Sequence, residues 1–279
     1  MALAMNKLSS WGWRMGVILM VCHALGAGAE EMERDVKARP PHEWGYSGTR
    51  GPDHWGEMGF PLCIQGRKQS PVDFAVNRKS IQLDLEMDYR SSLLRVLNTG
   101  RAIKVIYEPG STVKYGDRRY ELTQFQFHTP SEHTLGGRTY PMEIQFLHRA
   151  VDGKLLQLAV FATEGEQAVN GTVDALFSAL PMKVDMELIG NFYLNAADLL
   201  PRELTAFFYV GSLTTPPCTE GVAWFVYKEP LHLPAGLISR MASLLGRNTR
   251  PIQKILIDKP PETKGKKGET SKKSPAGVR

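Results

Sequence analysis

The sequence predicts a mainly β protein with few helices, for two reasons. Short apolar runs alternate with turn signals along the chain, which is typical of a protein with many short strands. Helical spacing of apolar residues is confined to two segments. The chain has 279 residues, 42% hydrophobic and 23% charged, which suits one large domain of ordinary globular composition.

Strands are predicted where an apolar run ends at a turn signal. Leu93–Leu97 precedes Asn98-Thr99-Gly100, and Ile103–Tyr107 precedes Pro109-Gly110. The other clear runs are Leu155–Ala162 and Ala223–Tyr227. Helices are predicted over two segments, Val169–Leu180 and Gly236–Leu245, which Pro181 and Gly246 would end.

Composition divides the chain into four segments. Residues 1–29 have the pattern of an export signal, with basic residues before an apolar stretch and the small-residue cleavage site Ala27-Gly28-Ala29. The stretch is short for a membrane span, which argues against the alternative of an uncleaved anchor. Residues 30–39 would be a linker, residues 40–258 the folded domain, and residues 259–279 a disordered basic tail. We expect a periplasmic or secreted protein without a transmembrane span in the mature chain.

Removal of the signal leaves two cysteines, Cys63 and Cys218. An even pair in an oxidising compartment indicates one disulfide. On the chain-entropy model so long a loop stabilises the fold by about 4–5 kcal/mol. Two free thiols or a two-ligand metal clip are the alternatives, and the absence of a CxxC partner argues against the clip.

Polar side chains interrupt two apolar stretches in the middle of the chain. Alternation along a strand places Gln124, Gln126 and His128 on one face of the first stretch. Glu143 and Gln145 share a face of the second. If the strands pair, Gln126, His128 and Gln145 converge. Three histidines there would form a catalytic zinc site, whereas one histidine and two glutamines do not.

Six short motifs occur along the chain: Trp44-Gly45-Tyr46, Gly51-Pro52-Asp53-His54-Trp55, Gln69-Ser70-Pro71-Val72-Asp73, Thr129-Pro130-Ser131-Glu132-His133-Thr134, Gly211-Ser212-Leu213-Thr214-Thr215-Pro216-Pro217-Cys218 and Asn248-Thr249-Arg250-Pro251. Together they resemble the α-class carbonic anhydrases, particularly the bacterial branch. The resemblance implies a large, twisted, mostly antiparallel sheet with a conical site and a few short peripheral helices. It also implies the disulfide between the two cysteines.

In that family three histidines hold the zinc ion, two on one strand and one on its neighbour. The resemblance assigns these positions to Gln126, His128 and Gln145, so that only His128 is retained. The proton-shuttle histidine falls on Arg101.

The resemblance also implies roles for residues that this chain retains. Thr214 matches the threonine that bonds zinc-bound hydroxide, and Glu132 matches the carboxylate that accepts from it. Thr215 falls at a substrate contact. The walls of the apolar CO2 pocket fall on Leu147, Leu213 and Trp224. Positions that support the metal ligands fall on Gln124, Glu143 and His133.

Glutamine is a poor replacement for a zinc-binding histidine. Its amide nitrogen has no available lone pair, and its carbonyl oxygen is a neutral, hard donor. Zinc lowers the pKa of bound water from about 15.7 to about 7, so hydroxide would not form without it. Arg101 stays protonated and cannot relay protons. We therefore predict no zinc or weakly bound zinc and little or no catalysis. The alternative is a working zinc carbonate dehydratase.

The predicted function is that of a non-catalytic, carbonic anhydrase-related binding protein. Its polar groups can satisfy one another in a metal-free network. Arg101 and the basic tail favour a small anion, such as bicarbonate or a carboxylate, or an anionic glycan or surface. A solvated arginine and a solvated tail are the alternatives. Export argues against nucleic acid as a partner.

Overall fold

A large, twisted sheet organises the described part of the chain. The computed structural model describes residues 44–83, 85–165 and 171–254. The predicted export signal, linker and basic tail lie outside the described residues. The predicted domain is described from Trp44 to Lys254, with gaps at residue 84 and residues 166–170.

Most strands are short, as the spacing of turn signals predicts, and the longest lie at the centre of the sheet. In chain order they are β1 (Asp73–Phe74), β2 (Ile81–Gln82), β3 (Glu86–Asp88), β4 (Ser92–Asn98), β5 (Ile103–Ile106), β6 (Thr112–Tyr115), β7 (Arg118–His128), β8 (Thr134–Leu135), β9 (Met142–Ala150), β10 (Leu155–Glu164), β11 (Glu187–Leu194), β12 (Thr205–Ser212), β13 (Glu220–Tyr227) and β14 (Leu231–Leu233). The four predicted strands correspond to β4, β5, β10 and β13.

Helices are few and peripheral. They are α1 (Leu62–Gln65), α2 (Gly171–Ser178) and α3 (Ala235–Leu245), with 3₁₀ turns at Gly48–Arg50, Pro52–His54 and Ala196–Leu199. The two predicted helices correspond to α2 and α3. Gly246 has φ of 59°, a left-handed conformation that glycine adopts without strain, and it ends α3 as expected. No helix in the described ranges is long and apolar enough to cross a bilayer.

The main sheet has twelve strands, with a path β11-β4-β5-β7-β9-β10-β13-β12-β2. Strand β6 also pairs with β7 and carries β3, and β14 pairs with β10. Pairing is antiparallel except where β10 meets β13 and β14, and where β1 pairs with β8 in a separate small sheet. The predicted mainly β fold with a mostly antiparallel sheet is therefore confirmed.

Strand alternation gives the centre of the sheet two different faces. Phe125, Phe127 and Phe146 point into the larger apolar cluster of the core. The residues between them, such as Gln126 and Gln145, therefore point to the opposite face. That face also carries a second apolar cluster, whose large members include Phe161, Phe207 and Trp224. The polar cluster predicted from the sequence thus lies beside an apolar surface.

Cys63 and Cys218 form a disulfide, with their Cα atoms 5.1 Å apart. Both are buried and pack beside Trp55 in a small apolar cluster. The bond ties α1 to the loop that follows β12, 155 residues further along the chain. The predicted pairing is present in the structure.

Candidate functional site

Strands β7 and β9 bring the predicted polar residues together. In their antiparallel register Gln126 lies opposite Gln145, and His128 lies opposite Glu143. Cross-strand partners send their side chains to the same face. His128, Glu143 and Gln145 have no exposed surface, and Gln126 is 8% exposed. The convergence expected from strand alternation is confirmed.

His128 uses both ring nitrogens in hydrogen bonds. Its Nδ1 lies 2.8 Å from the carbonyl oxygen of Asn248, which can only accept, so Nδ1 carries the proton. In the neutral ring Nε2 is then an acceptor. The Gln126 Nε2 group donates to it across 3.0 Å. The Glu132 carboxyl stands 3.6 Å from the same His128 nitrogen, too far for a hydrogen bond.

Gln145 joins two buried carboxyl groups. Its Nε2 donates to Glu132 Oε2 across 2.8 Å and to Glu143 Oε1 across 2.9 Å. Its Oε1 accepts a longer bond of 3.5 Å from Gln126 Nε2. These partners fix the orientation of both amides, because the reverse orientation would turn Gln145 Oε1 toward carboxylate oxygens. The result is a continuous network from Asn248 through His128, Gln126 and Gln145.

Glu143 is a buried carboxylate that accepts hydrogen bonds on both of its oxygens. It accepts from the backbone N–H groups of Glu132 and His133 at 3.0 and 2.8 Å, and it pairs with His133 Nδ1 at 2.8 Å. Burial acts to raise the pKa of the Glu143 carboxyl, but the charge of His133 and the hydrogen bonds from His133 and Gln145 outweigh burial, so its pKa lies below the usual value. The other His133 nitrogen lies 2.6 Å from the hydroxyl of Tyr209.

These donors do not fit a zinc ion. The His128 lone pair accepts from Gln126, and both amide groups face hydrogen-bond partners within the network. Within residues 44–83, 85–165 and 171–254, no group of three or more His, Cys, Asp or Glu side chains is placed to hold a metal ion. One imidazole with two neutral amides is also the wrong ligand chemistry for zinc.

Thr214 and Glu132 are both buried, but no hydrogen bond joins them in the described part of the chain. The Glu132 carboxyl accepts instead from Gln145 Nε2 and from the backbone N–H of Arg250, the latter at 2.9 Å. The hydrogen bond that the resemblance implies is therefore replaced by one from Gln145. Gln124 is partly exposed, and no hydrogen bond links it to Gln126 among the residues described.

The three predicted pocket walls lie together. Leu147 and Leu213 are partly buried and pack against the apolar cluster that contains the fully buried Trp224. The Trp224 indole N–H donates to the Ser212 carbonyl across 2.9 Å. Thr215 is partly exposed, in the loop after β12, where its carbonyl accepts from Cys218 N.

Arg101 lies near the network rather than out in solvent. Its guanidinium carbon is 4.5 Å from the centre of the Trp44 ring, and Nη1 is 3.5 Å from the Trp44 carbonyl oxygen. Asn248 Nδ2 donates to the Arg101 carbonyl across 3.0 Å. The pKa of the Tyr46 hydroxyl is raised, mainly by burial and then by Glu132, while the charge of Arg101 acts to lower it. A positive charge thus borders the site.

Two further histidines on these segments, His133 and His148, have hydrogen-bond partners of their own. His133 bonds to Glu143 and Tyr209, as described above. His148 lies on the opposite face, where its Nε2 is 2.6 Å from the Tyr89 hydroxyl. Its Nδ1 lies 3.1 Å from the Phe146 carbonyl and 3.3 Å from that of Leu156.

Sequence reasoning missed three residues of the site. Asn248 and Arg250 were recognised only as part of a motif, without a role. Gln157 was hidden in the apolar run of β10, although a single amide within Leu-Leu-Gln-Leu-Ala-Val-Phe is a signal in itself. Gln157 is 3% exposed and is the cross-strand partner of both Leu147 and Trp224.

Comparisons with known proteins agree on one family. The family profile described as eukaryotic-type carbonic anhydrase matches residues 50–259. A carbonic anhydrase of Nostoc sp. is 37% identical over 220 residues, which cover 76% of this chain and 83% of that protein. One from Neisseria gonorrhoeae is 35% identical over 243 residues, covering 86% and 92%. The solved α-carbonic anhydrase of Photobacterium profundum has 35% identity and a TM-score of 0.72, covering 76% of this chain and 97% of its own.

Proposed function

Because the chain belongs to the α-type carbonic anhydrase family, we propose that it is an exported member that acts by binding and has little or no CO2 hydration activity. Zinc is absent or weakly held in this proposal. The polar network then replaces the metal centre, and Thr214 and Glu132 have no catalytic role.

One observation carries the proposal: the Gln126 amide donates to His128 Nε2 across 3.0 Å. Among the three ligand positions Gln126, His128 and Gln145, that nitrogen is the one atom suited to zinc, because Nδ1 of the same ring donates to Asn248. A metal would have to break this bond. It would also have to turn the Gln145 amide away from Glu132 and Glu143, since only the amide oxygen can coordinate. Both changes oppose binding.

The competing function is a zinc carbonate dehydratase with His128, Gln126, Gln145 and water around the metal. Family membership and the grouped pocket walls favour it. The donor set opposes it, and hydration at neutral pH depends on the acidity that zinc gives to water. The ligand chemistry therefore favours a binding protein over a zinc enzyme.

The test is metal content together with CO2 hydration on the purified, untagged protein. We expect far less than one zinc per chain after dialysis against a chelator, and a hydration rate close to that of buffer. The matched control is the Glu57→Gln variant, which alters an exposed carboxylate that pairs with His54 outside the site. Stoichiometric, chelator-resistant zinc with fast hydration would establish the competing function instead.

A small anion, such as bicarbonate or a carboxylate, is the partner that Arg101 supports, because its charge borders the site beside Trp44. The basic tail supports a contact with anionic glycans or surfaces. If Arg101 contributes, Arg101→Gln weakens bicarbonate binding in a titration, and the tail-deleted protein retains it. Equal binding by wild type and Arg101→Gln would remove Arg101 from the proposal.

A further inference from the structure

The side-chain oxygen of Gln157 is buried without a hydrogen bond in the described part of the chain. Gln157 is 3% exposed, and its Oε1 is one of three buried side-chain oxygens without a partner in the described part of the chain, with Tyr46 Oη and Thr249 Oγ1. Buried polar groups nearly always have a partner, so a lone amide within an apolar cluster requires an explanation.

The register of the sheet places this amide beside the residues that the resemblance assigns to the pocket walls. Gln157 pairs with Leu147 on β9 and with Trp224 on β13, so all three side chains lie on one face. Two residues further along β10, Ala159 pairs with Gln145 on β9. Gln157 is therefore the diagonal neighbour of Gln145, and backbones of diagonal neighbours lie about 7–8 Å apart. Gln157 thus lies between the polar network and the apolar walls.

The walls of the pocket supply no donor for this oxygen. Leu147 and Leu213 are hydrocarbon, and the Trp224 indole N–H donates to the Ser212 carbonyl. The nearest amide, Gln145, directs its N–H groups at Glu132 and Glu143. Gln157 Oε1 is therefore available to accept a hydrogen bond from a small molecule that contacts these walls.

The chemistry of the surroundings defines that molecule. Gln157 Oε1 needs a hydrogen-bond donor, and an ionised carboxylate has no hydrogen to donate to it. Each carboxyl oxygen of Glu132 and Glu143 already accepts at least one hydrogen bond, so both groups face donors within the protein. A neutral group with an adjacent N–H donor and C=O acceptor matches the Gln157 amide, and a short alkyl group matches Leu147 and Leu213.

We propose that the pocket of Gln157, Leu147, Leu213 and Trp224 binds a small neutral carboxamide or urea through paired hydrogen bonds to the Gln157 amide. The inference rests on the proposed function, because it assigns a ligand to a site without metal chemistry. It also separates this pocket from a CO2 pocket, since CO2 has no hydrogen to donate to Gln157 Oε1.

The test compares acetamide with acetone, which is similar in size but has no N–H group. Each is titrated into the isotope-labelled full chain, and the side-chain amide signal of Gln157 is followed by NMR. We expect acetamide to shift that signal and to bind at least about tenfold more tightly than acetone, the loss that one unmade hydrogen bond produces. In Gln157→Leu the preference disappears, and Gln157→Met serves as a second variant if the first folds poorly.

Three results would overturn the inference: no saturable acetamide binding, equal binding by wild type and Gln157→Leu, or a crystal soaked in acetamide that holds only an ordered water beside Gln157. Zinc content measured on the same preparation keeps the two proposals separate. Stoichiometric zinc contradicts the proposed function whatever acetamide does, whereas zinc-free protein that ignores acetamide contradicts only the ligand assignment.

Discussion

The side-chain amide of Gln126 donates to Nε2 of His128 across 3.0 Å, two residues apart on the same strand. The Asn248 carbonyl holds the opposite side of the ring and fixes the tautomer. The imidazole is therefore a hydrogen-bond acceptor within a protein network. This relationship bears on zinc binding more directly than the count of histidines does, because it occupies the lone pair of His128 Nε2.

Restoring the ligands should restore the metal. We expect Gln126→His with Gln145→His to bind about one zinc per chain and to gain measurable CO2 hydration. Three imidazoles would then face one another across β7 and β9, and Glu132 Oε2 would lose its bond to Gln145 and become available to Thr214. Metal analysis and stopped-flow hydration measure the outcome.

The control for this restoration is Gln126→His alone, which provides two imidazoles and should bind zinc much more weakly. Hydration by the double variant should remain slow, because Arg101 cannot relay protons, and adding Arg101→His should accelerate it. A double variant that folds and remains metal-free would mean that the surrounding groups no longer support a zinc site.

Gln145 should contribute more to stability than Gln126. Gln145→Leu removes the donor shared by the buried Glu132 and Glu143, and we expect a loss of about 3 kcal/mol in the free energy of unfolding. Gln126→Leu removes a single bond to the His128 ring and should cost about 1 kcal/mol. Urea denaturation of both variants measures the difference. Equal losses would show that the bonds to the carboxyl groups are not the stronger ones.

Strand alternation was sufficient to predict which side chains converge. The pattern around Gln126, His128 and Gln145 contains the period of two that the sheet requires, and the register confirms it. The directions of the amides could not be predicted in this way. They depend on partners far along the chain, such as Asn248, which is 120 residues from His128.

Side-chain partners that the sequence does not show also explain why Glu132 and Gln157 differ from expectation. The resemblance implies a bond from Thr214 to Glu132, but an amide at position 145 adds a donor that a histidine would not place there, and Glu132 accepts from it. The sequence does not predict a place for Gln157 in the site, because its neighbours along the chain are apolar. The pairing of β9, β10 and β13 places it between Leu147 and Trp224.

The stability of the fold should decrease below neutral pH because of His148. Burial lowers the pKa of His148 from 6.5 to about 4, opposed only partly by the bonds to Leu156 and Phe146. As the pH falls, His148 therefore binds a proton in the unfolded chain before it does so in the folded chain. Burying the neutral His148 ring therefore makes the stability of the fold depend on pH. Its effect on the free energy of unfolding amounts to about 3 kcal/mol, which is fully present above pH 6.5 and is lost as the pH falls from 6.5 to about 4.

Denaturation at pH 7.5 and pH 4.5 measures this dependence, with His148→Gln as the comparison because glutamine keeps a donor and an acceptor without titrating. The variant should have a smaller loss of stability between the two pH values than the wild type. The same loss in both proteins would assign the acid sensitivity to other groups.

The disulfide should account for a large share of the stability. It joins residues 155 positions apart, and a loop of that length corresponds to about 4–5 kcal/mol in the chain-entropy model. We expect Cys63→Ala with Cys218→Ala to lower the free energy of unfolding by that order. Because both cysteines pack beside Trp55, the reduced wild type is the control that separates the bond from the packing.

Removal of the Gln157 amide should stabilise the ligand-free protein. Its Oε1 is buried without a partner, and such a group costs about 1–3 kcal/mol relative to a satisfied or apolar one. Leucine has a similar volume and suits a site between Leu147 and Trp224. We therefore expect Gln157→Leu to raise the free energy of unfolding by about 1 kcal/mol, with Leu147→Gln as a destabilising counterpart. A less stable Gln157→Leu protein would mean that the amide is already satisfied by water, and the pocket would then have no unmet hydrogen bond to offer a ligand.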